Sequence, residues 1–295
     1  MKKNLKTIIK ITVSGGLIIY LFTQKIDVNE LISNFKLLDW RFLPLMVLTI
    51  VAHYTISSFR WKSLLIHENS DKISRWYLFK LYFVGAFLNN FMPTSIGGDV
   101  YKVYKLGKDI DDPFMGFSSV FTERFTGILM LFLIGLFGLS KYLGWGVLVL
   151  LIWTICGFII GFNVLRILSS KFKPLKKLYD ALSVYKDHPK VLLFAMFTSL
   201  LIQFLSISTQ YLTFMALGVK LPIFYSLMYF PLITLLGFFI PSINGLGVQD
   251  ALYNRFFPSW MVGEGVAITA SIIYHMIRML VSLLGGVFYA LGKDS

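Results

Sequence analysis

A single cysteine, four scattered histidines and only 15% charged residues leave this 295-residue chain few routes to chemistry. One cysteine, Cys156, excludes an internal disulfide and any cysteine-based metal site. Its place in an apolar stretch fits a core or lipid-facing role better than a reactive one. His53, His67, His188 and His275 are too dispersed to suggest a metal site. There is no HExxH, no GxSxG and no P-loop Gly-Lys-Ser/Thr, so the common hydrolase and nucleotide-binding classes have no signature here. Asp109, Asp111 and Asp112 cluster, but in a lysine-rich loop without the glycine turn of a calcium loop. Neither a metal nor a cofactor is expected, and the chain does not read as an enzyme. A cleavable leader is also missing, because no small-residue cleavage site follows the first apolar run, Ile8–Phe22.

What is present is apolar. Hydrophobic residues make up 56% of the chain and aromatics 17%, whereas a soluble domain carries about 25% charge. The fold class is therefore an all-α polytopic membrane protein, expected to form one integral membrane domain over 1–295. Spans long enough to cross a bilayer fall near 8–23, 42–60, 115–139, 146–165, 191–217 and 265–291. Two shorter apolar segments, 77–92 and 225–240, run into breaks.

The net charge of +13 is carried by loops between apolar stretches, which is the pattern of positive-inside topology rather than of nucleic-acid binding. Attraction to anionic headgroups is a secondary reading. The 60–80 stretch (Arg60, Lys62, Lys72, Arg75, Lys80), the run Lys102, Lys105 and Lys108, and seven basic residues in 166–190 all look cytoplasmic, whereas 24–41 is charge-balanced and looks external. If both short segments crossed fully, the seven-basic loop would face outward. If both are re-entrant hairpins, every basic loop and both termini lie inside. The expectation is six full spans plus two opposed re-entrant hairpins, an arrangement that implies an inverted repeat.

The two breaks are NNFMPTSIGGD at 89–99 and PSINGLGVQD at 241–250. Each places proline, asparagine and paired glycine after an apolar helix, ends in a carboxylate, and is followed 25–28 residues later by an arginine, Arg124 or Arg278. Broken helices in corresponding positions of two halves point to a transporter's binding site. In hydrocarbon such backbone survives only against protein or a water-filled cavity. Pro93 and Pro241 stop the preceding helices. Gly97 and Gly98 admit positive φ and close backbone approach, and Asp99 is placed to cap a helix over 100–107. Asn244, Gly245, Gly247 and Asp250 repeat the logic. Amides at such breaks suit a phosphate or carboxylate, and a tight interhelical turn is the bland alternative.

Glu123, Arg124 and Arg278 are charges inside spans and need a partner or a cavity. Structural pairs, Arg124 with Asp99 and Arg278 with Asp250, stand beside contact with an anionic headgroup as readings. Three polar stripes at helical spacing accompany them: Ser199, Gln203, Ser206, Gln210 and Thr213; Ser271, Tyr274, His275, Arg278 and Ser282; and, more weakly, Thr49, His53, Ser57 and Arg60. They read either as interhelical hydrogen-bonding residues or as the walls of a polar cleft.

FLNNFMPTSIGGDVYK at 87–102, SSVFTERFTG at 118–127 and PSINGLGVQD at 241–250 resemble the lysylphosphatidylglycerol synthase transmembrane region, a flippase-like membrane domain of bacteria and archaea. The resemblance covers essentially the whole chain. The family's N-x-x-P-x-x-x-G-G-D falls on Asn90, Pro93, Gly97, Gly98 and Asp99, with Asn89 beside it. Its Glu-Arg pair falls on Glu123 and Arg124. Its P-x-x-x-G-x-G-x-x-acid falls on Pro241, Gly245, Gly247 and Asp250. The chain departs from the family pattern at Lys102, where arginine is common, and at Gln249-Asp250, where Arg-Glu is common.

The resemblance implies movement of an anionic phospholipid or a polyprenyl-linked lipid between leaflets of a prokaryotic cell membrane, without the soluble aminoacyl-transferase domain fused in some relatives. A non-catalytic membrane subunit of a lipid or glycan pathway and a lipid-phosphate transferase are the alternatives. The expected partners are that lipid and the membrane, with a second copy of the chain left open and nucleic acid excluded. With no nucleotide site, transport is expected to run downhill or couple to an ion or the membrane potential, with His275, Glu123 or Asp99 as proton carriers.

Overall fold

The computed structural model describes residues 28–92, 97–240, 242, 244–263 and 265–292. The expected span at 8–23 and both break prolines, Pro93 and Pro241, lie outside them. Among the described residues every regular element is a helix. They are α1 (Val28–Lys36), α2 (Leu43–Ser63), α3 (Arg75–Asn89), α4 (Gly97–Asp109), α5 (Pro113–Leu143) and α6 (Gly146–Ser169), then α7 (Lys173–Ser183), α8 (Pro189–Ala216), α9 (Ile223–Phe239), α10 (Val248–Phe256), α11 (Ser259–Val262) and α12 (Val266–Leu291). Five of these, α2, α5, α6, α8 and α12, are long and apolar enough to cross a bilayer and coincide with five of the expected spans. The chain is a polytopic all-α membrane protein.

Helix starts follow local chemistry. Ser74 caps α3 by accepting from the Tyr77 amide at 3.0 Å. Asp112 caps α5 through the amides of Phe114 and Met115, with Pro113 in the first turn, where its missing N–H costs nothing. Asp109 accepts from the Tyr77 hydroxyl and Asp111 holds a φ of 56°. The acidic cluster thus divides into three separate structural roles.

The two short apolar segments are the first arms of helical hairpins. In the first hairpin α4 folds back along α3. At its tip the Asn89 side-chain oxygen accepts from the Gly98 amide at 2.7 Å, and at its open end Tyr77 bonds Asp109. In the second, α10 folds back along α9: Gly237 lies against Gln249 near the tip, and Tyr229 stacks on Phe256 at 5.3 Å near the open end.

The hairpins lie end to end along α5. The first packs at the start of α5, where Gly107 meets Pro113 and Gly116 meets Val103. The second packs at its far end, where Gly138 abuts Leu227 and Met228 and Tyr142 meets Tyr225. Their tips touch in the middle, Asn244 Nδ2 donating to Asn90 Oδ1 at 2.9 Å. Helix α12 repeats the arrangement with the hairpins exchanged. Ser271 in its first half bonds Asp250 of α10, and Gly285 in its second half abuts the Phe83 backbone of α3. Since α2 also packs on α8, the two halves have matching neighbours, as a repeat requires.

Cross-links also sort the loops. Tyr185 donates to the Leu64 carbonyl at 2.9 Å and Ser118 to the Ala181 carbonyl at 2.7 Å, gathering the segments around 62–75, 109–113 and 170–190 at one end. Burial pushes the Tyr185 phenol up to about 12. At the other end the Asp39 amide donates to the Ala216 carbonyl at 2.8 Å. Most loop lysines therefore share one end of the molecule.

Two expectations about the first break need correcting. Gly98 has no positive φ, and Gly97 and Gly98 are the first residues of helix α4. Glycine is required at Gly98 by contact, since a Cβ there would sit 2.0 Å from the Gly85 carbonyl oxygen. Asp99 is no cap of a helix over 100–107; it lies within the first turn of α4, which runs to Asp109. At the second break the expectation holds: Asn244, Gly245 and Gly247 have φ of 49°, 86° and 77°.

Apolar packing is divided to match. One cluster, including Trp61, Leu78, Leu106 and Met115, supports the first hairpin. Another, including Phe214, Phe230, Tyr253 and Phe257, supports the second. Polar residues fill the space between. Helix α6 packs on little but α5 and α7 and exposes Ile152, Trp153, Ile159 and Ile160, as a lipid-facing helix does.

Candidate functional site

Where the hairpin tips meet, a cavity of about 250 Å³ opens between α2, α3, α4, α5, α8, α9, α10 and α12. Four cationic side chains line it, Arg60, Lys102, Arg124 and Arg278, against two carboxylates, Asp99 and Glu123. The remaining polar wall is neutral and includes Asn89, Asn90, Gln203, Asn244 and Gln249.

Glu123 is the centre of a buried network. It is 1% exposed, and one oxygen accepts from Arg60 at 2.9 Å and from the Tyr82 hydroxyl at 2.6 Å. Its other oxygen accepts from Lys102 at 3.0 Å. Arg60 is further fixed by a 2.7 Å bond to Ser199, which bonds Thr126 at 3.1 Å. Lys102 lies 4.0 Å from the Tyr82 ring centre and 4.5 Å from that of Trp61, within cation–π range. It also lies 3.5 Å from Asp99. Buried charge of this density survives only because each charge has a close partner.

Arg124 leaves that network for the cavity. Its Nε donates to Asp99 at 2.6 Å, yet 42% of its side chain is exposed, against 7% for Asp99. Arg278 on the opposite wall is half-buried and has no carboxylate within ion-pair distance among the described residues. Its guanidinium lies 5.1 Å from the centre of the Tyr274 ring. A cation at this depth is tolerable only against a polar cavity.

The expected Arg278–Asp250 pair is not formed. Asp250 instead closes the second break, accepting from the Gly247 amide at 2.9 Å and from Ser271 at 2.6 Å. His275 Nε2 stands 3.7 Å from the same carboxylate, too far for a hydrogen bond. A carboxylate three residues after the helix start serves the free amides of that start in preference to an arginine on another helix.

Of the expected site residues, Asn89, Asn90, Asp99, Glu123, Arg124, Asn244, Gly245 and Arg278 line the cavity. Gly97, Gly98, Gly247, Asp250 and His275 stand behind it and shape the tips, while Pro93 lies outside the described residues. The sequence reading misplaced Arg60 and Lys102 among solvent-facing loop charges; they are 5% and 3% exposed. Lys102 lies one helical turn beyond Asp99 and so shares its inward face, a spacing that could have revealed it. Arg60 was also the last member of a polar stripe. Tyr82 had no distinguishing signal, and Gln249 stood out only as a departure from the family pattern. The α8 stripe is confirmed, with Gln203 and Ser206 on the cavity wall and Gln210 bonded to Tyr253 at 2.8 Å.

A family model described as Lysylphosphatidylglycerol synthase TM region matches residues 7–286. No curated protein and no solved structure matches the chain.

Proposed function

This chain belongs to the lysylphosphatidylglycerol synthase TM region family, and from that premise we propose that it is a lipid translocase. It moves an anionic phospholipid, or a lipid-linked phosphate, between leaflets of a prokaryotic cell membrane. The headgroup occupies the cavity between the hairpin tips while the acyl tails stay in lipid. The observation that carries this reading is the charge on the cavity wall, four cations against two carboxylates, with Arg278 left without a carboxylate partner among the described residues. Fixed cations and neutral hydrogen-bonding groups replace the water that the headgroup sheds, so it never meets bare hydrocarbon.

In this reading the hairpins are re-entrant, entering from opposite faces of the bilayer. The lysine-rich end is cytoplasmic, as the positive-inside rule requires, and both termini lie on that side. The lipid leaves chemically unchanged. The family match and the tip-to-tip geometry support this account together.

The test is reconstitution of the full chain into vesicles with tail-labelled phosphatidylglycerol, following exposure of the label to an outside quencher. Wild-type protein accelerates exchange over protein-free vesicles, and Arg278→Ala slows it about tenfold or more. Exchange at the wild-type rate in Arg278→Ala would remove the mechanism. Mass spectrometry showing a covalently altered lipid would favour a transferase instead.

A further inference from the structure

We propose that the cavity selects a phosphate headgroup whose remainder is an uncharged polyol, and rejects headgroups that carry an ammonium group. The inference rests on the translocase reading and specifies its substrate class. Its basis is which cavity groups are already committed. Both carboxylates on the wall are. Glu123 accepts from Arg60, Tyr82 and Lys102, and Asp99 accepts from Arg124, with Lys102 at 3.5 Å. Asp250, the nearest further acid, is closed off by Gly247 and Ser271. An ammonium entering the cavity would therefore meet cations and no free carboxylate.

The groups left to meet a headgroup are of two other kinds. Arg278, whose partners among the described residues are the hydroxyls of Tyr54 and Tyr274 and not a carboxylate, and Arg124, bonded to Asp99 through its Nε, are cationic donors lining the space, which suits a phosphate held between two guanidinium groups. Gln249 is a neutral acceptor. It is nine-tenths buried, lines the cavity, and its side-chain oxygen has no partner among the described residues. A buried amide oxygen without a donor costs stability unless something supplies one, and a hydroxyl does so without adding charge. Asn90 and Ser282, bonded to each other at 2.6 Å, add neutral rather than charged wall.

The experiment uses the reconstituted full chain with four tail-labelled lipids. They are phosphatidylglycerol (phosphate and polyol), phosphatidic acid (phosphate alone), phosphatidylethanolamine (phosphate and ammonium) and lysylphosphatidylglycerol (polyol and ammonium). Phosphatidylglycerol is expected to exchange at least about tenfold faster than either ammonium lipid, with phosphatidic acid between. Equal rates for all four, or a faster rate for either ammonium lipid, would overturn the selectivity while leaving translocation intact. Phosphatidic acid at the phosphatidylglycerol rate would overturn the polyol part.

Gln249→Glu places a free carboxylate on the wall and should narrow the gap between phosphatidylglycerol and phosphatidylethanolamine several-fold. An unchanged gap counts against the assignment of Gln249. If no lipid exchanges at all, translocation falls, and binding decides the selectivity by itself. Glycerol phosphate should then raise the melting temperature of the purified protein where glycerophosphoethanolamine does not; the reverse order would sink the inference.

Discussion

The two hairpins carry nearly the same punctuation, yet their carboxylates do different work. In the first half Asp99 turns to the arginine of the following helix and pairs with it at 2.6 Å. Glu123 beside it is shared by Arg60 and Lys102. In the second half Asp250 turns back to its own helix start, and Arg278 keeps its charge for the cavity. The glycines diverge as well. Gly98 is required by a backbone 2.0 Å from where its Cβ would be, whereas Gly247 supplies a φ of 77°. In one half every cation has a carboxylate partner, and the other presents an open charge. A site that must grip and release a headgroup needs both, because a wall of unpaired cations would not stay folded and a wall of pairs would not bind.

Removing the central acid is the most severe way to break this comparison. Glu123→Ala leaves Arg60 and Lys102 buried without their shared partner and should cost about 3–5 kcal/mol, read as loss of folded protein in a detergent denaturation series. Asp250→Ala in the other half should cost only about 1–2 kcal/mol, the worth of a helix cap. Equal losses would erase the distinction. The glycines come next. Gly98→Ala overpacks α3 against α4 and should cost about 1–3 kcal/mol, while Gly247→Ala forces a side chain to positive φ at about 1–2 kcal/mol. A Gly98→Ala protein as stable as wild type would contradict the close approach.

The arginines sharpen the contrast further. Arg278→Ala should slow lipid exchange about tenfold, roughly 1.4 kcal/mol in barrier, with the melting temperature nearly unchanged. Arg124→Ala should lower exchange and stability together, because it also strips Asp99 of its partner. The smallest effect belongs to Arg41, whose guanidinium holds the part-exposed Asp39 carboxyl below its usual value. A depressed carboxyl contributes stability above its unfolded pKa and loses it as pH falls through the folded one. With Arg41 exposed and the pair salt-screened, denaturation curves of Arg41→Ala should be indistinguishable from wild type at neutral pH and moderate salt. A clear shift would mean that a surface pair rivals the buried network.

Much of the architecture was legible beforehand. Five of the described helices were expected as spans because crossing a bilayer demands about 20 apolar residues, a signal that depends on nothing distant in the chain. The two breaks were legible for the same reason, since proline and glycine act locally. Lys102 and Arg60 were not. A lysine among Tyr101, Val103 and Tyr104 looks like a loop charge until α5 places Glu123 against it, 21 residues on. The partner of Asp250 was equally illegible, because a cap and a long-range pair differ only in which way a side chain turns.

By itself the sequence determined that this is a membrane protein, where its helices run and break, and which family it belongs to, because hydrophobicity and backbone restriction act over a few residues at a time. Only the tertiary structure decided which charges are spent on one another and which face the cavity. That outcome rests on contacts between residues 21 to 192 positions apart, from Lys102 with Glu123 to Asn90 with Ser282, and packing alone brings them together.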